Sequence, residues 1–199
     1  KHSANAETQA AAQRWCALVT PVMKSVFTHQ AFHGGSDCLQ VFGGHGYVRE
    51  WGIEQIVRDA RVAMIYEGTN EIQAIDLLVR KVLADGGASL FALLDELATQ
   101  LPAGLPATAA VQQRFAQLRS LTEALAQAAK DNATLAFWVA DDYLRLVAMA
   151  LLGWAGARVE AASEGVAETS RWSQPQAALK RWVLPEFAMR LSIIEAALA

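Results

Sequence analysis

The sequence predicts an all-α protein made of two successive helical bundles. Three observations carry that expectation: 53% of the 199 residues are hydrophobic with a surplus that is largely alanine, only five are proline, and apolar residues recur at helical spacing in several segments. A chain of this length buries a sizeable core, either as one large domain or as two small ones.

Taken in order, residues 4–19 form a first helix, and Thr20-Pro21 has the form of an N-cap followed by proline at the first helical position, which predicts a second helix from there to about Phe42. In that helix Val22, Val26, Phe32, Leu39 and Phe42 leave an imperfect stripe interrupted by Gly34-Gly35. Mid-helix glycine costs about 1 kcal/mol relative to alanine, so the pair marks either a tight approach or a plain kink. Residues 43–46 end the helix, and a loop through Trp51-Gly52 leads to a third at about 53–66. After Glu67-Gly68 a fourth, amphipathic helix carries Ile72, Ile75, Leu78, Val79 and Val82. Asp85-Gly86-Gly87 closes it with a left-handed cap, which sets the domain boundary between residues 1–87 and 88–199.

The second unit opens with a helix at about 89–101 and a linker at 102–108, then a helix at about 109–130. Leu135, Trp138, Val139, Leu146, Val147, Ala150, Leu151 and Trp154 follow as one stripe at helical spacing. A polar linker around 163–173 precedes a last helix that Pro185 bends or restarts near Leu184. The tryptophans at 138, 154, 172 and 182 read as core or interface anchors.

Bulk properties narrow the function. A net charge of −3 and a pI near 5.8 leave no basic footprint for nucleic acid. No stretch of about 18 uncharged apolar residues occurs, and the N-terminus lacks the order of a signal peptide, so neither a membrane nor export is expected. Cys16 and Cys38 are too far apart in sequence for a metal pair and too few for a disulfide framework; buried, reduced thiols in a cytoplasmic protein are the expectation. His29, His33 and His45 share neither a helical face nor a standard ligand spacing, so no metal is expected. The chain opens on Lys1 with a helix already in full stride, which reads as a piece of a longer polypeptide.

Chemistry concentrates in the first half. Met64-Ile65-Tyr66-Glu67-Gly68-Thr69-Asn70-Glu71-Ile72-Gln73 sets a carboxylate beside a glycine turn where a helix begins. Upstream lie Gln40-Val41-Phe42-Gly43-Gly44-His45-Gly46-Tyr47 and Arg58-Asp59-Ala60-Arg61. An acid at a helix N-terminus serves the dipole for about 0.3–1 kcal/mol without any catalytic role, and most Gly-Gly-x-Gly strings are only turns. The three motifs in this order, however, closely resemble the C-terminal helical domain of the acyl-CoA dehydrogenases over roughly residues 1–84. The remaining helices resemble the C-terminal extension of the larger members, in the subgroup like 3-methylmercaptopropionyl-CoA dehydrogenase.

The resemblance implies a flavoenzyme that desaturates an acyl-CoA thioester between its α and β carbons and passes electrons to an unidentified electron-transfer acceptor. It makes Glu67 the general base, its carbon acid rendered workable by hydrogen bonds to the thioester carbonyl from the base's own backbone N–H and a flavin hydroxyl, with water excluded to raise the base's pKa. It assigns Gly68 to close approach of acyl chain and flavin. It assigns Thr69 and Glu71 to FAD contact, Glu71 standing where many members carry glutamine, and simple helix capping explains both equally well. It places Gln40, Val41, Phe42, Gly43 and Gly44 against the FAD of a neighbouring subunit, hence in a homo-oligomer. Arg58, Asp59 and Arg61 suit surface or interdomain ion pairs. The family's N-terminal helical and β-domains would lie outside this chain, so the isolated chain is expected to be inactive. A non-catalytic helical interaction or oligomerisation module is the alternative. Duplex binding, seen among relatives in the alkylation response, is disfavoured by the acidic balance.

Overall fold

The computed structural model describes residues 5–163 and 173–199, and every regular element among them is helical. The elements are α1 (Ala6–Phe42), α2 (Gly44–Tyr47), α3 (Ile53–Ala63), α4 (Asn70–Ile75), α5 (Ala88–Thr99), α6 (Pro106–Asp131), α7 (Leu135–Trp138), α8 (Ala140–Ala162), α9 (Ser173–Ala178) and α10 (Glu186–Leu198). Wider π-helical turns extend α4 over Asp76–Val82 and α9 over Leu179–Val183. After residue 42 the order of helices follows the expectation, and α10 restarts after Pro185 as foreseen. The linker at 163–173 lies almost wholly outside the described residues.

Thr20-Pro21 does not divide two helices. α1 runs unbroken through Pro21 over 37 residues, about 55 Å. Proline lacks the N–H that would bond the carbonyl four residues back, a defect of about 3 kcal/mol or more in a helix interior. Here the orphaned carbonyl is that of Ala17, and it accepts a hydrogen bond from Lys81 Nζ at 2.7 Å. Thr20, rather than capping, donates its hydroxyl to Cys16 O at 2.7 Å. Lys81 is held in turn by Asp76 Oδ2 at 2.6 Å. The π-helical turn thus supplies from outside the bond that Pro21 removes from within. Gly34-Gly35 causes no break either: a Cβ at Gly35 would make only ordinary contact with Val57 at 3.7 Å.

α8 is the central strut. Every residue from Tyr143 to Ala150 is buried, the signature of a helix surrounded on all sides. α1 and α4 lie against it on one side, α6 and α10 on another. Leu18, Val22 and Val26 of α1, Leu77 and Leu78 after α4, Leu90 and Leu97 of α5, and Leu118 and Leu125 of α6 belong to one core with Leu144 and Leu146. The Gly86-Gly87 turn is left-handed at both residues, as expected, with φ 65° and 90°. Asp85 caps α5 by accepting from Gly87 N and Ser89 N at 3.1 and 3.0 Å. A Cβ at Gly87 would meet Thr122 Cγ2 at 2.9 Å, so glycine lets α5 and α6 close on each other. Buried Thr122 shares a 2.6 Å hydrogen bond with the Tyr143 hydroxyl, and burial pushes that phenol well above its usual pKa range.

Several expectations from sequence fail at the surface. Cys16 and Cys38 are exposed, because Cys16 lies about 200° around α1 from the buried Leu18 and the distal part of α1 is largely uncovered. Trp138 and Trp182 are 82% and 72% exposed, which removes the core half of their expectation and leaves the interface half standing. Trp154 is half-buried and its indole N–H donates to Leu97 O at 3.1 Å, while Trp172 lies outside the described residues. The stripe from Leu135 to Trp154 breaks because the chain turns between α7 and α8 at Val139.

Lys81→Met is expected to lower stability to chemical denaturation by about 1–2 kcal/mol, the scale of a lost hydrogen bond to a charged group. Adding Pro21→Ala should recover part of the loss, since position 21 regains an N–H for Ala17 O; simple additivity of the two changes would refute the coupling.

Candidate active site

The turn between α3 and α4 puts Glu67 in the left-handed region at φ 52°, where it is the one non-glycine residue among those described. Such backbone is disfavoured for a residue with a Cβ and persists only when its surroundings over-determine it. The surroundings here are polar groups on α1. Lys24 Nζ donates to Gly68 O at 2.6 Å and to Asn70 Oδ1 at 3.1 Å. Thr28 Oγ1 donates to the same Asn70 oxygen at 3.0 Å, and Asn70 Nδ2 donates to Ser25 O at 3.1 Å. Asn70 is buried, and its own N–H reaches back to Met64 O at 3.2 Å, closing the turn. The downstream end of the turn is therefore tied to one stretch of α1 through Gly68 and Asn70, and its upstream end, at Met64, is tied to Asn70.

Gly68 is required locally. Its φ is 86°, and a Cβ there would stand 2.9 Å from Gln73 Nε2. Thr69 is the N-cap of α4, accepting from Ile72 N at 3.3 Å. The Glu71 carboxyl is held below its ordinary range, first by its own backbone N–H and next by the Thr69 hydroxyl, with Arg61 and Lys24 adding to the effect against partial burial. Helix capping thus accounts for Thr69 and Glu71 within this chain.

The Glu67 side chain points outward. It is exposed, and among the described residues neither its carboxylate nor its backbone N–H has a hydrogen-bond partner within the turn or beyond it. Around it Ile65, Tyr66 and Ile72 are about half exposed, an apolar rim beside a free carboxylate.

Residues 40–44 lie elsewhere. Gln40, Val41, Phe42, Gly43 and Gly44 are all exposed at the far end of α1. Lys24, which touches the Glu67 turn, is 16 residues back along the same helix, or about 24 Å. Gly43 takes φ 58°, and a Cβ at Gly43 or Gly44 would meet nothing within 4 Å, so this glycine turn faces open space. Gly46 is the packed member of the run, its missing Cβ replaced by Leu39 O at 2.6 Å. The structure thus groups Glu67, Gly68, Thr69 and Glu71, and leaves residues 40–44 at a distance.

Residues 3–83 match the family model for the acyl-CoA dehydrogenase C-terminal domain. Over those residues the chain belongs to the acyl-CoA dehydrogenase family. It is 36% identical to 3-methylmercaptopropionyl-CoA dehydrogenase of Ruegeria pomeroyi over 74% of this chain and 26% of that protein. It is 42% identical to the broad-specificity linear acyl-CoA dehydrogenase FadE5 of Mycobacterium tuberculosis, over 37% of this chain and 12% of that protein. It is 38% identical to an acyl-CoA dehydrogenase of Bacillus subtilis, over 36% and 18% respectively. The chain spans about a quarter or less of these relatives. The likeness to the Ruegeria protein covers more than residues 1–87 contain, so it extends into the helices after Gly87.

Sequence reasoning missed the polar clamp of this acyl-CoA dehydrogenase domain. Its signal was present as Lys24 and Thr28, one turn apart beside Val22, Ser25 and Val26, and as an asparagine at the start of an apolar helix. Among the described residues the Arg58, Asp59 and Arg61 element forms no ion pair: Asp59 accepts from Gln55 Nε2 at 2.7 Å and Arg61 lies over the Phe32 ring at 5.7 Å. The His29 and His33 rings meet at 4.1 Å between centroids, tilted by 46°; burial first, then Arg145 and His33, lowers the His29 pKa to about 4.

Asn70→Ala should destabilise the chain by about 2–3 kcal/mol in denaturant unfolding, because it leaves Ser25 O and the Lys24 ammonium without their buried partner. A loss below about 0.5 kcal/mol, the ordinary range for surface changes, would mean that the clamp does not hold the turn.

Proposed function

We propose that this chain is the C-terminal part of a flavin-dependent acyl-CoA dehydrogenase and that Glu67 is its general base. The observation that carries the reading is the Glu67 turn itself: strained backbone, a free carboxylate and a free N–H, all beside exposed Ile65, Tyr66 and Ile72. A structural acid capping α4 would turn toward the helix, as Glu71 does.

In this reading the acyl group of an acyl-CoA thioester lies over the apolar rim, and the Glu67 carboxylate takes the proton from its α-carbon. The Glu67 N–H donates to the thioester carbonyl, stabilising negative charge as it develops there. Gly68 keeps the approach to that carbonyl free of a side chain. Covering the rim removes water from around the carboxylate, which keeps the proton transfer between base and substrate. Bound FAD would supply the acceptor for the β-hydrogen, which leaves as hydride. The residues present suit it: Thr69 and Glu71 offer polar groups beside the base, and Gly43 and Gly44 offer backbone with open space in front of it.

The separation of about 24 Å along α1 favours two different FAD molecules for the two groups, residues 40–44 reaching the cofactor of a second subunit. A homo-oligomer follows, and exposed Val41, Phe42, Tyr47 and Trp51 supply apolar surface for it. An isolated chain leaves Glu67 in water and is expected to have no desaturase activity. No helix among the described residues is long and apolar enough to cross a membrane.

The test is Glu67→Gln in the full-length protein, followed by anaerobic flavin absorbance while acyl-CoAs of graded length are added. The variant should keep FAD and lose substrate bleaching by about 10²-fold or more, the usual weight of a positioned base. Bleaching at the parent rate would remove Glu67 from the chemistry, and bound flavin that no acyl-CoA bleaches in the parent would favour the non-catalytic module.

A further inference from the structure

Where α1 leaves the bundle, it meets the helices that follow Gly87 through a cluster of titratable groups. α1 brings His29, half-buried, and His33, exposed, whose rings touch at 4.1 Å between centroids, with Asp37 one turn further on. α8 brings Asp141, Asp142 and Arg145, and α10 brings Glu186 and Arg190. α3 adds Arg61 over the Phe32 ring, and Phe32 meets His33 edge-on at 5.3 Å. α4 meets this stretch of α1 through the uncharged Asn70, which also holds Lys24.

The two arginines of the cluster are unequally matched. Arg190 is answered by Asp142 Oδ1 at 2.7 Å, Glu186 Oε1 at 2.9 Å and Asp141 Oδ2 at 3.8 Å. Arg145 is not. Its side chain is 6% exposed, its Nε is buried without a hydrogen-bond partner, and Asp141 Oδ1, at 4.0 Å, is the one carboxylate oxygen within that distance among the described residues. Asp141 is itself half exposed and divided between the two arginines. A buried cation with so weak a counter-charge leaves its field on its neighbours, because little water is present to screen it.

The nearest groups able to change charge there are the imidazoles. A proton on His29 would place a second cation near Arg145 and against His33, on a ring already drawn away from water. Burial first, then Arg145 and His33, accordingly hold the His29 pKa at about 4, with Glu186 opposing and Arg190 adding. The ordinary value is 6.5, so an opened state takes the proton before the closed one does. The contribution of the closed cluster to stability is therefore whole above pH 6.5 and is lost as the pH falls toward and through 4.

We propose that His29, His33 and Arg145 form an acid-released latch: uncharged imidazoles seat α1 against α8 and α10, and protonation, opposed by the buried guanidinium, parts the helices at that end. The latch starts one residue past Thr28, which donates to Asn70, so its release reaches the polar clamp as well.

NMR of the full chain between neutral and acid pH tests this, following the ring protons of His29 and His33 together with amide exchange over residues 29–33 and 141–145. His29 should titrate well below His33, and the opening equilibrium of those two segments should rise about tenfold between pH 6.5 and about pH 5, the linkage expected of one such group. The carboxylates around Arg190 also take up protons in acid, and His29→Gln separates the imidazole from them: it should abolish most of the rise, whereas Arg145→Met should move the His29 midpoint back toward its ordinary value. A His29 midpoint near 6.5 in the parent chain, or the same rise in His29→Gln, would overturn the proposal. Should a variant lose its fold, the His29 midpoint in the parent chain decides.

Discussion

The hydrogen bonds that Asn70 accepts from Lys24 and Thr28 and donates to Ser25 O are the constraint on which the site depends. Left-handed backbone at a glutamate is unfavourable by itself, and nothing within the turn at 64–69 compensates for it. What compensates is the docking of the turn onto α1: a buried amide with its oxygen and nitrogen both engaged, and a lysine whose ammonium bridges that oxygen and Gly68 O. The Glu67 carboxylate and N–H are then presented together on the outside, which is where a thioester with both an acidic C–H and a carbonyl would need them. The chain of cause runs from a polar face on α1, through a strained turn, to a glutamate whose backbone is held with its carboxylate on the outside.

α1 meets a second constraint further back. Pro21 removes a helical bond in the middle of a 37-residue helix, and the Lys81–Asp76 pair in the π-helical turn restores a donor to Ala17 O. The same two elements thus touch at both ends of α4, through Asn70 at its start and Lys81 beyond its end. Between those polar contacts lie Leu18, Val22, Val26, Ala74, Leu77 and Leu78, all buried. Behind them α8, buried on every side from Tyr143 to Ala150, carries the helices that follow Gly87 on the same core.

Much of the fold was legible because helical periodicity and glycine turns are local signals. The Gly86-Gly87 cap, the restart at Pro185 and the order of the long helices follow from neighbours in sequence. Thr20-Pro21 misled because its rescue comes from Lys81, some sixty residues away, and no local rule sees that donor. The cysteines and Trp138 misled because apolar character in sequence does not say which side of a helix is covered. In the site, the motif around Glu67 and Gly68 was legible from type and order. The clamp was not, since Lys24, Thr28 and Asn70 acquire meaning only once α1 and α4 cross. The local reasons for Gly68, Thr69 and Glu71 likewise needed coordinates: a left-handed backbone for the first, a cap for the other two.

The measurement that bears most directly on this account is the rate of flavin bleaching in a single turnover of the full-length protein carrying Lys24→Met. Lys24 touches the backbone of the turn and the buried amide, and it is not part of the proposed proton transfer. The account predicts a folded protein that retains FAD and bleaches about 10²-fold more slowly, the scale of a reacting group misplaced by roughly an ångström. Bleaching at the parent rate would contradict it, and would mean that the Glu67 turn holds its aim without α1.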